Sequence, residues 1–214
     1  DTKYNNNLKK LLAITNKKSK NSKNIFSKNP LEKLNEFSFV YRKSLDSNNI
    51  AITGSAGKTS VKDLTGFCLN KLDKTYYSKN SFNNKYGVPL SIINSPQSTK
   101  FSVLEVGMDK KGEIDTLTKL IRPNLGLITN ISYAHIKNFK NLDEIAKAKG
   151  EIINNIFPSG VIIINKDDKY CNYFISKAKM RNLNIITFSK KNKLADVVYL
   201  GQRKNKKGFK KKTF

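Results

Sequence analysis

Residues 50–60 read Ile-Ala-Ile-Thr-Gly-Ser-Ala-Gly-Lys-Thr-Ser. A short apolar run enters a turn with two glycines, and a helix-compatible stretch opens at Lys58. In that order these residues can hold phosphate. Glycines let successive backbone N–H groups turn inward, and a helix N-terminus adds the positive end of its dipole. Gly54, Ser55, Ala56 and Gly57 would form the cradle, with Ser60 in the first helical turn. Lys58 would reach the outer phosphates, and the Thr59 hydroxyl would ligate Mg²⁺. The strict pattern G-x-x-x-x-G-K-[ST] is not met, because Ile52 stands at the first glycine position.

A phosphate loop alone does not name a reaction. Phosphoryl transfer also needs groups that hold metal and place an acceptor. Glu105 interrupts the apolar run Val103-Leu104-Glu105-Val106. A carboxylate there is costly unless it is paired, bound to metal, or on an edge facing water. His135, the single histidine, follows the run 125–129 and is a candidate metal or phosphate partner. Asn83 and Asn84 precede Tyr86-Gly87-Val88-Pro89; their amides suit either a plain turn or a phosphate–metal contact. Thr129 and Asn130 are second-rank candidates. Lys147 and Lys149 lie in Ala146-Lys147-Ala148-Lys149-Gly150-Glu151 and, taken alone, read as solvated lysines on a helix.

The elements that must position these groups follow from periodicity. Apolar residues at Leu31, Leu34, Phe37, Val40, Tyr41 and Leu45 predict an amphipathic helix over 30–45, with Pro30 in its first turn. Strands are expected at 50–53, 76–77, 101–106, 125–129, 161–164 and 185–188. Helices are expected at 58–72, 88–93, 113–121, 142–156 and 169–179. Such alternation implies βαβ units, hence an α/β fold with a mostly parallel sheet and helices on both faces. The unbroken run Val161-Ile162-Ile163-Ile164 fits a strand buried on both sides. Open sheets of this kind bind ligands at the carboxyl ends of their strands, the rim where Glu105 and His135 are expected.

Taken together, the segments 51–63, 83–91, 103–115, 122–139, 146–152 and 163–168 resemble, in order and spacing, the Mur ligases, which form amide bonds in peptidoglycan precursor synthesis at the expense of ATP. The likeness covers about residues 30–190. The versions Asn83-Asn84-x-x-Gly87-Val88-Pro89-Leu90 and Ala146–Ile152 point to the branch joining D-alanyl-D-alanine to UDP-N-acetylmuramoyl-tripeptide. The resemblance implies a P-loop central domain over 49–190, acting through an acyl phosphate with ATP and Mg²⁺ as cofactors. By motif it implies that Gly54, Gly57, Lys58 and Thr59 cradle ATP, and that Glu105 holds Mg²⁺. It implies that His135 binds a second Mg²⁺ and that Lys149 is the lysine carbamylated in related ligases. Asn83 or Asn84 would contact the phosphate–metal region. Residues 1–48 match only the end of a preceding domain and its connecting helix, and 191–214 form a basic tail before an expected further portion. The chain by itself is therefore expected to turn over little.

The chain has 214 residues, 38% hydrophobic and 10% aromatic, enough for one core. It carries 41 Lys+Arg against 16 Asp+Glu, net +25, densest at the ends. Residues 1–48 hold 11 basic and 4 acidic side chains; residues 190–214 hold 10 and 1. A polyanion such as RNA is thus an alternative partner on a decayed phosphate-loop scaffold, although aromatic stacking groups near the tail are few (Tyr199, Phe209, Phe214). Compositional drift toward Lys, Asn and Ile is the competing source of the charge. Another ligase of the superfamily, such as folylpolyglutamate synthase, is a further alternative. Cys68 and Cys171 lack metal or disulfide spacing, and no apolar stretch reaches the roughly 20 residues of a membrane helix. With no apolar leader at the start, a cytoplasmic location is expected.

Overall fold

The computed structural model describes residues 13–18, 24–78, 80–133, 138–204 and 210–213. In chain order the elements are β1 (Ala13–Thr15), β2 (Asn24–Phe26), α1 (Pro30–Ser44), β3 (Asn48–Thr53), α2 (Lys58–Leu69), β4 (Thr75–Tyr77), α3 (Gly87–Ile93), β5 (Phe101–Glu105), α4 (Glu113–Ile121), β6 (Leu125–Ile128), α5 (Leu142–Lys149), β7 (Val161–Asn165), α6 (Cys171–Met180), β8 (Asn184–Ser189), β9 (Val197–Val198), β10 (Gly201–Lys204) and β11 (Lys210–Thr213). A 3-10 turn over Gly150–Asn155 continues from α5.

Seven strands form one sheet in the order β4-β5-β3-β6-β7-β8-β9, and every pairing in it is parallel. The physical basis is alternation along β3. Ile50 and Ile52 join Val103 in a small cluster closed by Val61 and Leu69 of α2. Ala51 points the other way, into a larger core with Leu104, Ile128 and Ile162, which Ile114 and Ile121 of α4 and Ile145 of α5 help to build. Both faces are therefore covered, as a parallel sheet requires. Because all seven strands run the same way, their carboxyl ends share one rim.

Helix α1 begins as expected. Asn29 accepts a hydrogen bond from the Glu32 N–H, and Pro30 occupies the first turn, where its missing N–H costs nothing. One expectation shifts, and two segments without expected elements gain strands. The helix expected over 142–156 ends at Lys149, and the chain tightens into the 3-10 turn as Gly150 packs close under Phe174. Ahead of α1 a small parallel pair forms, β1 with β2. The basic tail forms an antiparallel pair, β10 with β11, and β9 extends the main sheet beyond residue 190.

Candidate functional site

The loop between β3 and α2 is built around close approach. Gly54 has φ +148°, and a Cβ there would lie 1.8 Å from Thr129 Oγ1. Only glycine lets the loop pass so near the end of β6. The segment after β6 then clamps it. Thr129 Oγ1 donates to the Ala56 carbonyl at 2.7 Å, and Ala56 N–H donates to Asn130 Oδ1 at 3.1 Å. Ser55 N–H donates to the Asn130 carbonyl at 2.9 Å, and Ser55 Oγ donates to the Ser132 carbonyl at 2.9 Å. Asp168 Oδ2 accepts from the Ile131 N–H at 2.6 Å, fixing the clamp in turn.

Gly57 starts α2 in the left-handed region with no side-chain cap, and nothing lies within 4 Å of where its Cβ would sit. The first amides of α2 therefore keep their hydrogen-bonding capacity and the helix dipole for an outside anion. Lys58 Nζ arches back to the Gly54 carbonyl at 3.0 Å. Ser60 is exposed in the same turn.

Glu105 is 1% exposed, and its strand lies inside the sheet between β4 and β3, which excludes the edge position facing water. It is held by two of the expected site residues. Thr59 Oγ1 donates to Glu105 Oε2 at 2.6 Å, and Asn83 Nδ2 donates to Oε1 at 2.7 Å. The two asparagines divide their work. Asn84 Oδ1 accepts from the Tyr86 and Gly87 N–H groups at 3.0 and 2.9 Å and so starts α3. Asn83 reaches the carboxylate, and its carbonyl accepts from Gly107 N–H at 2.7 Å. Gly107 leaves the room this needs, since a Cβ there would stand 2.9 Å from the Asn83 amide.

Lys147 is exposed, but Lys149 is 1% exposed. Burial, with the neighbouring Lys58 charge adding to it, lowers the Lys149 ammonium to a pKa of about 7. Lys149, Lys58, Asn83, Gly107 and Lys110 line one cavity of about 350 Å³. His135 lies outside the described residues. Sequence reasoning missed the clamp by Ser132 and Asp168: both fall in the motif segments 122–139 and 163–168, but their partners Ser55 and Ile131 are far away in sequence. It also missed Lys62, whose buried ammonium donates to the Ser78 and Asn80 carbonyls and pins β4's exit to α2.

The residues present fit a magnesium nucleotide. A hydroxyl and a carboxylate converge beside an uncapped helix start, and Mg²⁺ commonly takes one or two protein oxygens together with phosphates and water. Among the described residues no three His, Cys, Asp or Glu side chains cluster.

Residues 52–214 match the family model of the Mur ligase middle domain. The chain belongs to that family. It is 39% identical over 152 residues, 71% of its length, to the UDP-N-acetylmuramoyl-tripeptide–D-alanyl-D-alanine ligase of Buchnera aphidicola, of which it covers 33%. The ligase of the same name from Rickettsia prowazekii is 34% identical over 79% of the chain and is covered to 38%. The chain thus spans about a third of the length of the curated relatives it matches. The crystal structure of MurF from Acinetobacter baumannii superimposes with a TM-score of 0.81 and 28% identity, over 90% of this chain and 42% of that one. Folylpolyglutamate synthase of Mycobacterium tuberculosis shares the fold at TM-score 0.65 but only 14% identity, over 82% of this chain and 48% of its own.

Proposed function

We propose that this chain is the ATP-binding, carboxylate-activating part of the ligase that joins D-alanyl-D-alanine to UDP-N-acetylmuramoyl-tripeptide in the cytoplasm. Residues 49–190 carry the site, residues 1–48 close a preceding domain, and 191–214 lead onward. One observation carries the reading: Thr59 of the phosphate loop and Asn83 of the loop before α3 both meet the buried Glu105 carboxylate. The relatives' shared name supplies the substrates, and the resemblance carried by the Asn83–Leu90 and Ala146–Ile152 segments favours this branch over folylpolyglutamate synthase.

The residues then take these parts. Backbone N–H groups of 57–60 bind the triphosphate. Lys58 leaves the Gly54 carbonyl to follow charge developing on the transferred phosphoryl group. Thr59 and Glu105 would hold Mg²⁺, which when bound would supply charge neutralisation and polarisation of the triphosphate. Asn83 keeps the Glu105 carboxylate turned to its ligand. The substrate's terminal carboxylate attacks the γ-phosphorus, ADP departs, and the acyl phosphate forms. The amine of D-alanyl-D-alanine adds to that carbonyl, and the tetrahedral adduct expels phosphate, which takes up the proton lost from the amine, to leave the amide. His135 would hold a second Mg²⁺. Lys149, part-neutral near pH 7, adds through Nζ to CO₂, forming an N–C bond and releasing a proton to water. That carbamate would turn a cation into an anion able to ligate or orient a bound metal.

The test is calorimetric titration of ATP with Mg²⁺. Lys58→Ala weakens binding by at least about tenfold, on the scale of a lost charge-assisted contact to phosphate. Equal affinity in the two proteins overturns the assignment. Glu105→Gln removes the gain in affinity from Mg²⁺ while leaving metal-free binding unchanged.

A further inference from the structure

Helix α2 carries two lysines one turn apart that do different things. Lys58 turns back to the phosphate loop. Lys62 is fully buried and turns the other way, toward the exit of β4. An ammonium has three donors, and three oxygens answer this one. They are the Ser78 carbonyl, the Asn80 carbonyl at 2.9 Å and Asp63 Oδ1 at 3.0 Å. No donor is left over for an outside anion. Taking an ammonium out of water is costly, and an apolar side chain of similar length would fill the space without that cost. Packing alone does not account for the charge.

What Lys62 grips does account for it. Asn80 stands in the left-handed region at φ +51°, a conformation uncommon for a residue with a Cβ, and the Lys62 bond holds its carbonyl there. Directly after it the chain reaches the nucleotide site. Ser81 Oγ lies 3.4 Å from Thr59 Oγ1, and the Ser81 carbonyl accepts from the Asn83 N–H at 2.8 Å. The Asn83 amide then donates to Glu105 at 2.7 Å. Helix α2 therefore holds Glu105 twice, directly through Thr59 and, by way of the loop before α3, through Lys62. Thr59 and Lys62 sit within one turn of the same helix, so the hydroxyl and the amide keep a fixed offset around the carboxylate.

We propose that Lys62 is a positioning residue for the metal end of the nucleotide site: it holds the loop before α3 so that Asn83 keeps the Glu105 carboxylate aimed, and it thereby sets the affinity for Mg²⁺. The inference rests on the reading of Glu105 as a magnesium ligand, and it gives Lys62 no contact with nucleotide or metal. The test is calorimetric titration of β,γ-imido-ATP, which resists hydrolysis, once in EDTA and once in excess Mg²⁺. Lys62→Met keeps the side-chain length and removes the ammonium. Binding in EDTA is expected to stay unchanged, while the gain from Mg²⁺ falls about tenfold, the scale of a lost partner behind a metal ligand. The double variant Lys62→Met/Asn83→Ala is expected to lose no more of that gain than Asn83→Ala alone, because Lys62 acts through Asn83. A lower melting temperature with the Mg²⁺ gain intact is the mark of a merely structural lysine and overturns the proposal. Losses that add in the double variant, or an equal loss with and without Mg²⁺, also overturn it. Asn80→Pro gives a second arm that stands even if Lys62→Met does not fold. Asn80 is exposed, and proline fixes φ near −65°, which takes the Asn80 carbonyl off Lys62 without altering α2. The same Mg²⁺-specific loss is expected there, and an intact gain overturns the proposal. Failure of the underlying reading looks different: no Mg²⁺ gain in the unaltered chain, or a full gain in Glu105→Gln, removes the magnesium assignment and this proposal with it.

Discussion

At the scale of single residues, Lys149 is the group whose surroundings matter most. Its folded pKa lies near 7, while an exposed lysine titrates near 10.4. Between these values the unfolded chain binds more protons than the folded one, so this residue makes stability rise with pH across about 7 to 10. Below pH 7 both states are protonated, and the full cost of burying the ammonium remains. Lys149→Met should therefore stabilise the chain at pH 7 by on the order of 3 kcal/mol. The advantage should shrink steadily toward pH 10. Urea denaturation in CO₂-free buffer at pH 7 and 9.5 measures it, and an advantage independent of pH would refute the low folded pKa. The two asparagines offer a paired comparison at the same scale. Asn84→Ala removes the acceptor for two N–H groups at the start of α3 and should cost about 1 kcal/mol in thermal unfolding. Asn83→Ala, by contrast, should chiefly weaken Mg²⁺-dependent nucleotide binding.

At the scale of elements, the loop between β3 and α2 is set from outside itself. Its Ser55 amide and hydroxyl and its Ala56 amide and carbonyl are answered by Thr129, Asn130 and Ser132 beyond β6, a neighbouring strand. Gly54→Ala places a methyl group against Thr129 and imposes a φ that L-residues rarely adopt. We expect a loss of about 2–4 kcal/mol in stability together with loss of nucleotide affinity. Thr129→Gly in the same chain should return part of the stability, since it removes the atom that the new Cβ meets. A double variant no more stable than Gly54→Ala would show that backbone strain alone sets the cost.

At the scale of the whole molecule, charge opposes compactness. The chain carries 41 Lys+Arg against 16 Asp+Glu, and among the described residues four ion pairs are formed. Net repulsion of this kind destabilises a folded state and is screened by salt. Moving from low salt to about 0.3 M NaCl should raise the melting temperature by a few degrees, because the Debye length falls below the spacing of most surface charges. A melting temperature that falls with salt would mean that attractive pairs dominate instead.

The sequence by itself determined the alternation of strands and helices, the place of the phosphate loop, and the family. These are local or ordered signals: apolar periodicity, glycine spacing, and motifs in fixed succession. It pointed to Glu105 because a carboxylate inside an apolar run is improbable unless something holds it. It could not show that Thr59 and Asn83 do the holding, since those residues are 46 and 22 positions away. Nor could it separate Asn83 from Asn84, which differ only in the direction that α3 imposes. Lys147 and Lys149 have the same chemistry, and only the packing of α5 decided that one meets water and the other is buried beside the Lys58 cavity. Strand order belongs to the same class. The tertiary structure placed β3 between β5 and β6, and so brought the phosphate loop, the Glu105 carboxylate and the Thr129–Ser132 clamp to one rim. Periodicity shows which side of a segment is buried; only the assembled sheet shows against which neighbour.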